Sequence, residues 1–325
     1  MDVREIFPST KVLVIGDIML DRYIRGVVER ISPEAPVPIL LQDHVDSHPG
    51  GAANVAVNLQ QLGAEVYLAG VIGRDAHGAV LIEALKSLPI DLRYVLIANR
   101  KTTTKTRVMA ASQHLLRIDD EERSDLDDAL EQEMLQLIKR AIATIRPDIV
   151  VLQDYNKGVL TKNVIRTTIA LAKEVGTFVA VDPKYRHFFE YVGVDLFKPN
   201  ERELYGALKM NEMDRNALQE GVKRLCHELG ARYVVVTLAD RGMLIYEGRS
   251  MHHVPTRPRS IRDVCGAGDA VLSVLALSLY HGYDVVSAAQ MANAAGGLVC
   301  ERPGVCPIPT KEWMKEVRAM GILAR

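Results

Sequence analysis

The chain has 325 residues, 48% of them hydrophobic, and its 40 Lys and Arg nearly balance its 41 Asp and Glu, for a formal net charge of −1. That length supports one large α/β unit with a substantial buried interior, while near-neutrality excludes a whole-molecule electropositive field for nucleic acid or anionic lipid. The first ten residues, MDVREIFPST, hold no apolar leader core, and no stretch approaches the roughly 18 apolar residues that span a bilayer, so a cytoplasmic protein is expected.

In chain order, KVLVI (11–15) reads as a buried strand. VYLAGVI (66–72), DIVVLQ (148–153), TFVAVD (177–182), VDLFKP (194–199) and RYVVVTL (232–238) follow as its companions, with helices between them. This alternation is the signature of βα units around a largely parallel sheet. Within 125–145, Leu130, Met134, Leu137, Ile138 and Ile142 recur every three or four residues, predicting an amphipathic helix with an acidic start. Two stretches break the rhythm, about 22–46, with three prolines in SPEAPVP, and about 94–119, which alternates like antiparallel strands. Together they predict a small β appendage inserted in a core that otherwise runs through 1–325. Cys226, Cys265, Cys300 and Cys306 show neither CxxC spacing nor a histidine cluster, so free thiols are expected rather than a zinc site.

The strongest chemical signal is DVCGAGDA (263–270), followed by an apolar helical run. Gly266, Ala267 and Gly268 permit close backbone approach at a helix start, where unpaired N–H groups bind anions, and Asp269 then stands in the first turn. A carboxylate there suits a base that takes the proton of an attacking hydroxyl during phosphoryl transfer. Asp17 and Asp21, in GDIMLD after the first strand, are placed to accept bonds from sugar hydroxyls at the sheet's carboxyl edge. In PGGAANVA (49–56), Gly50 and Gly51 allow close approach to a small ligand, and Asn54 offers both a donor and an acceptor.

DYNKGVL (154–160) and VDPK (181–184) bring Asp154, Lys157, Asp182 and Lys184 to the same edge. Asn200 and Glu203 of KPNERE suit a Mg²⁺ shell reached partly through water, with helix capping as the alternative for Asn200. Thr237 and Gly242 of VTLADRG border a nucleotide. Between 99 and 118 there are Arg100, Lys101, Lys105, Arg107 and Arg117 and no acidic residue. Lys101, Lys105 and Arg107 share strand parity, a face fit for a sugar phosphate. A Walker loop and the protein-kinase motif set are both absent from the sequence.

The order and spacing of Gly16-Asp17, Gly50-Gly51 with Asn54, Asn200 with Glu203, and Asp263 through Asp269 resemble the ribokinase-like (PfkB) carbohydrate kinases over nearly the whole chain. The resemblance implies a three-layer α/β/α core with a mostly parallel sheet and a β-sheet lid that often dimerises. It also implies ATP and Mg²⁺, with K⁺ as an optional further cation. By the same resemblance Asp269 is the base and Gly266 to Gly268 form the anion hole. Asn200 and Glu203 organise Mg²⁺ and phosphate. Asp17, Gly50, Gly51 and Asn54 hold the sugar, and Thr237, Gly242 and Asn293 border the nucleotide.

Within that family, MLDRY, RISPEAPVP, PGGAANVA, DYNKGVL and VDPK are most similar to the kinases of D-glycero-β-D-manno-heptose 7-phosphate, which implies phosphorylation of the anomeric hydroxyl. A kinase for another sugar phosphate or a nucleoside is the alternative. Cys265 departs from the threonine common before GAGD. Bifunctional relatives carry a second domain with an HxGH motif, which this chain lacks, so a stand-alone kinase or an excised kinase domain is expected.

Overall fold

The computed structural model describes residues 3–111, 113–210 and 215–322. Strand β1 (Lys11–Gly16) leads directly into two long strands, β2 (Ile18–Ile31) and β3 (Pro38–Gly51). Helix α1 (Ala52–Gln61), β4 (Glu65–Gly73), α2 (Ala76–Lys86) and β5 (Ile90–Ala98) follow, and then the hairpin β6 (Thr103–Ala110) and β7 (Gln113–Asp120). The βα rhythm resumes with α3 (Asp128–Ile145), β8 (Ile149–Gln153), α4 (Lys162–Glu174), β9 (Phe178–Asp182), β10 (Leu196–Phe197), α5 (Glu201–Leu208), α6 (Arg215–Leu229) and β11 (Tyr233–Thr237). A second hairpin, β12 (Met243–Glu247) and β13 (Ser250–Val254), precedes α7 (Ala267–Tyr280), α8 (Val285–Cys300) and α9 (Thr310–Ala319).

Among the described residues nine strands form the main sheet in the order β13-β12-β11-β10-β9-β8-β1-β4-β5, and only β12 pairs antiparallel to its neighbours. Because strand side chains alternate, Val12 and Val14 of β1 enter one apolar cluster with α1, α7 and α8, whereas Leu13 and Ile15 enter another with α3, α4 and α6. Both faces of the sheet are thus covered, which is why its strands read as unbroken apolar runs. The stripe in α3 behaves as its spacing predicts: Met134, Ile138 and Ile142 are buried and Asp127 caps the helix through the Leu130 N–H.

The smaller sheet, β3-β2-β6-β7, has β2 antiparallel to β3 but parallel to β6. Its bounds and pattern correct the sequence-based expectation. Residues 90–98 extend the main sheet at its β5 edge, and the appendage is built from 18–51 and 103–120 in a mixed rather than antiparallel arrangement. Alternation alone does not say which partner a strand will find. The strand expected over 194–199 shrinks to Leu196–Phe197, and the β12-β13 hairpin was not anticipated.

Candidate active site

β1, β8 and β9 end level with one another, since Gly16 pairs with Gln153 and Gln153 with Asp182. That register brings Asp17, Gln153 and Asp182 to one edge of the sheet, where α7 also begins. Gly266 caps α7 with a φ of 80°, a left-handed backbone that favours glycine. A Cβ there would sit 2.9 Å from Asn54 Nδ2. Ala267 turns its N–H back to the Val264 carbonyl (3.3 Å), so one of the three amides expected to be free is used locally.

Asp269 lies in the first turn, 3% exposed. Its carboxylate takes three donors: Asn54 Nδ2 on Oδ2 (2.6 Å), and Tyr155 Oη (2.9 Å) and Gln153 Nε2 (3.2 Å) on Oδ1. Burial pushes its pKa up to about 6; the bonds from Asn54 and Tyr155 work against that rise, and the negative Asp182 adds to it. A carboxylate offers about four lone-pair directions, so one remains for a ligand hydroxyl. The Asp182–Lys198 pair (2.9 Å) stands beside this turn, because a Cβ on Gly268 would lie 3.9 Å from Lys198 Nζ.

Asp21, buried on β2, pairs with Arg107 on β6 at 2.5 Å, and the Arg107 guanidinium stacks over Tyr23. Gly50 makes room for this pair: a Cβ there would meet Asp21 Oδ2 at 2.1 Å. Gly51, with a φ of 57°, brings β3 against the Asp17 carbonyl.

Several of the expected site residues are also engaged within the protein. Tyr155, Lys157 and Val159 donate their backbone N–H groups to the Asp17 carboxylate at 2.7, 3.0 and 3.1 Å, so it organises the loop after β8. Asp154 accepts from the Asn156 N–H and the Tyr191 hydroxyl, and burial, with Asp17 nearby, pushes it up to about 7. Lys157 is paired with Glu121 at 2.7 Å. Arg117 is largely exposed and pairs with Asp119 on its own strand, and Lys101 lies before β6 and pairs with Asp120.

Asn200 and Glu203 form a reciprocal capping box on α5, and the second Glu203 oxygen binds Lys184. These oxygens are already committed, and the described residues hold no group of three or more metal-ligating side chains. A Mg²⁺ ion arriving with phosphates, which keeps most of its water, would meet this pair through water rather than directly. Asp263 ties two loops together through the Cys265 and Gly304 N–H groups.

Arg107, Lys157, Lys184 and Arg117 each pair with a carboxylate, whereas no ion pair is found among the described residues for Lys105 or for Arg100, which bonds the Ser124 and Lys157 carbonyls instead. Burial lowers the Lys105 pKa, Asp21 nearby raises it, and the positive Lys157 and Arg107 lower it further. A cation in such surroundings gains most from an incoming anion.

Thr237 ends β11 beside Asn200, and Gly242, with a φ of 90°, lets the β11-β12 turn pack against the Val254 carbonyl. Asn293 bonds the Val254 and Pro255 carbonyls and lines a cavity with Thr256, Arg257 and Gln290. Gly296, one turn further along α8, faces Val271 and Ala267 of α7, so this cavity adjoins the start of that helix. Gln153, Tyr155 and Lys198 were not singled out from sequence. Their signal was available, because each is a polar residue at or just beyond the end of a buried strand, in a segment already marked by its charged neighbours.

All four cysteines are free, and no helix among the described residues is long and apolar enough to cross a membrane.

Residues 9–311 match the family model described as pfkB family carbohydrate kinase. The chain is 39% identical over 309 residues to the bifunctional protein HldE of Methylobacillus flagellatus, covering 95% of this chain and 63% of that one. It is 40% identical over 310 residues to HldE of Psychromonas ingrahamii, covering 94% and 63%. It therefore spans less than two thirds of the length of these relatives. Among solved structures it resembles phosphofructokinase-2 from Escherichia coli in complex with potassium, with a TM-score of 0.81, 19% identity, and 96% and 99% of the two chains covered. It likewise resembles Arabidopsis thaliana ribokinase complexed with ribose and ATP, with a TM-score of 0.72, 21% identity, and 95% and 99% covered.

Proposed function

We propose, from the premise that this chain belongs to the pfkB family of carbohydrate kinases, that it transfers the γ-phosphoryl group of ATP to the anomeric hydroxyl of D-glycero-β-D-manno-heptose 7-phosphate, giving the 1,7-bisphosphate and ADP. The observation that carries this reading is Asp269 itself, buried in the first turn of α7 and held by three donors with one lone-pair direction left. Phosphoryl transfer asks little covalent chemistry of a protein; it asks for positioning and charge neutralisation. Asp269 takes the hydroxyl proton. The amides of the first turn and Lys198 face the transferring group, while the cavity at Asn293 takes the nucleotide. Asn200 and Glu203 would hold Mg²⁺ through water, and the ion would supply further neutralisation of the phosphates.

The sugar's own phosphate is assigned to Lys105, a half-buried cation for which no ion pair is found among the described residues, with Arg107 and Asp21 beside it. The kinship with the bifunctional HldE proteins supports the heptose assignment and a cytoplasmic role in building ADP-heptose for lipopolysaccharide. The four-stranded sheet serves as the lid. Its outer face carries a row, Val45, Ile24, Val108 and Leu116, across all four strands, with Val45 and Leu116 exposed, which suits packing by a second copy into a homodimer.

The test is an ATP-turnover panel of heptose 7-phosphate, hexose phosphates, their dephosphorylated sugars and nucleosides, each with and without K⁺. Heptose 7-phosphate should have the highest kcat/KM; a hexose phosphate or nucleoside leading the panel would refute the heptose assignment.

A further inference from the structure

Tyr155 joins the base on the main body to a cation on the small sheet. Its hydroxyl donates to Asp269 Oδ1 at 2.9 Å. Its ring lies near two ammonium groups, Lys105 Nζ from β6 at 5.0 Å and Lys184 Nζ at 5.3 Å from the centroid, both within cation–π range. Its backbone is pinned, because the Tyr155 N–H donates to the buried Asp17. The hydroxyl and ring can therefore move only by side-chain rotation.

Lys184 is anchored to the main body by Glu203. Lys105 belongs to the small sheet, where it sits opposite Asp21. We propose that Tyr155 is a positioning residue that reports the placement of the four-stranded sheet to Asp269: Lys105 over the ring holds the hydroxyl on the carboxylate. When β6 shifts, the ring loses one of its cations and Asp269 loses one of its three donors. The inference rests on the kinase reading for its consequence, namely that the base is set for proton transfer only with the lid in place. It goes beyond that reading in naming the residue that carries the link.

Other groups face the base and bear on its titration. Asn54 comes from α1, Gln153 from β8, Asp182 from the end of β9, and Lys198 from beyond β10. Asp21 and Asp182 also act on Tyr155. Of these only Asp21 lies on the small sheet, opposite Lys105, and both single variants leave it in place, so a double-variant cycle isolates the proposed route.

The experiment compares the full chain with Tyr155→Phe, Lys105→Met and the double variant, after thermal denaturation has confirmed that each is folded. The first measurement needs no substrate: the Asp269 carboxyl is titrated by ¹³C NMR, with Asp269→Asn identifying its resonance. Loss of a donor to the ionised form should raise its midpoint by roughly one pH unit in Tyr155→Phe. Lys105→Met should raise it in the parent but by less than half as much in the Tyr155→Phe background.

The second measurement is turnover. Tyr155→Phe should lower kcat about tenfold with the KM for ATP unchanged, and its acid limb should move to higher pH with the titration. A purely structural role for Tyr155 would leave the midpoint in place and overturn the proposal, as would Lys105→Met effects equal in both backgrounds. If the midpoints behave as expected while no sugar phosphate is turned over, the tyrosine link stands and the substrate assignment falls.

Discussion

Replacing Asp269 by asparagine separates the cost of burying a charge from its use. At pH 8 the wild-type carboxylate is ionised in a site that raises its pKa from 3.8 to about 6, a burden of about 3 kcal/mol on the folded state. Asparagine removes that burden, but its amide must direct an N–H₂ either at Asn54 Nδ2 or at the Tyr155 and Gln153 donors. One clash between donors costs roughly 1–3 kcal/mol. The two effects nearly cancel, so stability at pH 8 should change by no more than about 2 kcal/mol.

The sign with pH follows from the raised value: the group favours the folded state fully only below its unfolded pKa, and that advantage is lost as pH rises through about 6. Asparagine should therefore help more at pH 8 than at pH 5. Turnover, in contrast, should fall by roughly 10² to 10⁴ in kcat, the range for removing a general base. Urea denaturation at both pH values and a coupled ADP-release assay measure the two quantities. A folded variant keeping kcat within tenfold of wild type would refute the assignment of the proton to this carboxylate.

Lys105→Met should raise the KM for a sugar phosphate tenfold or more without changing the KM for ATP or for a dephosphorylated sugar, whereas the exposed Arg117→Ala should change neither by more than about twofold; steady-state kinetics with paired substrates decides. Asp154, pushed up to about 7, should cost the wild type roughly 2 kcal/mol of stability as pH rises from 5.5 to 8, and Asp154→Asn should flatten that slope in urea denaturation; an unchanged slope would show that another group carries it.

Much of the candidate site was legible because its residues stand at the ends of strands and helices that announce themselves. GAGDA followed by an apolar run marks a helix start whatever the rest of the chain does, and the nearly unbroken apolar strands declare a sheet covered on both faces. The contacts that the sequence left open share one cause. Charge identifies a residue that needs a partner, but not which partner it finds. Asp17 spends its carboxylate on three backbone amides of a loop 138 to 142 residues away, Lys157 spends its charge on Glu121, and Glu203 divides its oxygens between a helix cap and Lys184. Tyr155 escaped notice for the opposite reason, being uncharged in a motif read for its charges.

From the order of residues alone came the α/β class, the helix that opens on Asp269 and the two excursions that make the second sheet, since all of these rest on local periodicity and turn chemistry. Tertiary structure decided which charges cancel one another and which stay open, because pairing depends on distances between residues as remote as 54, 153 and 269 that only the closed sheet brings within bonding reach. The same closure sets the pKa of the base, since burial is a property of the whole packed chain and of no segment within it.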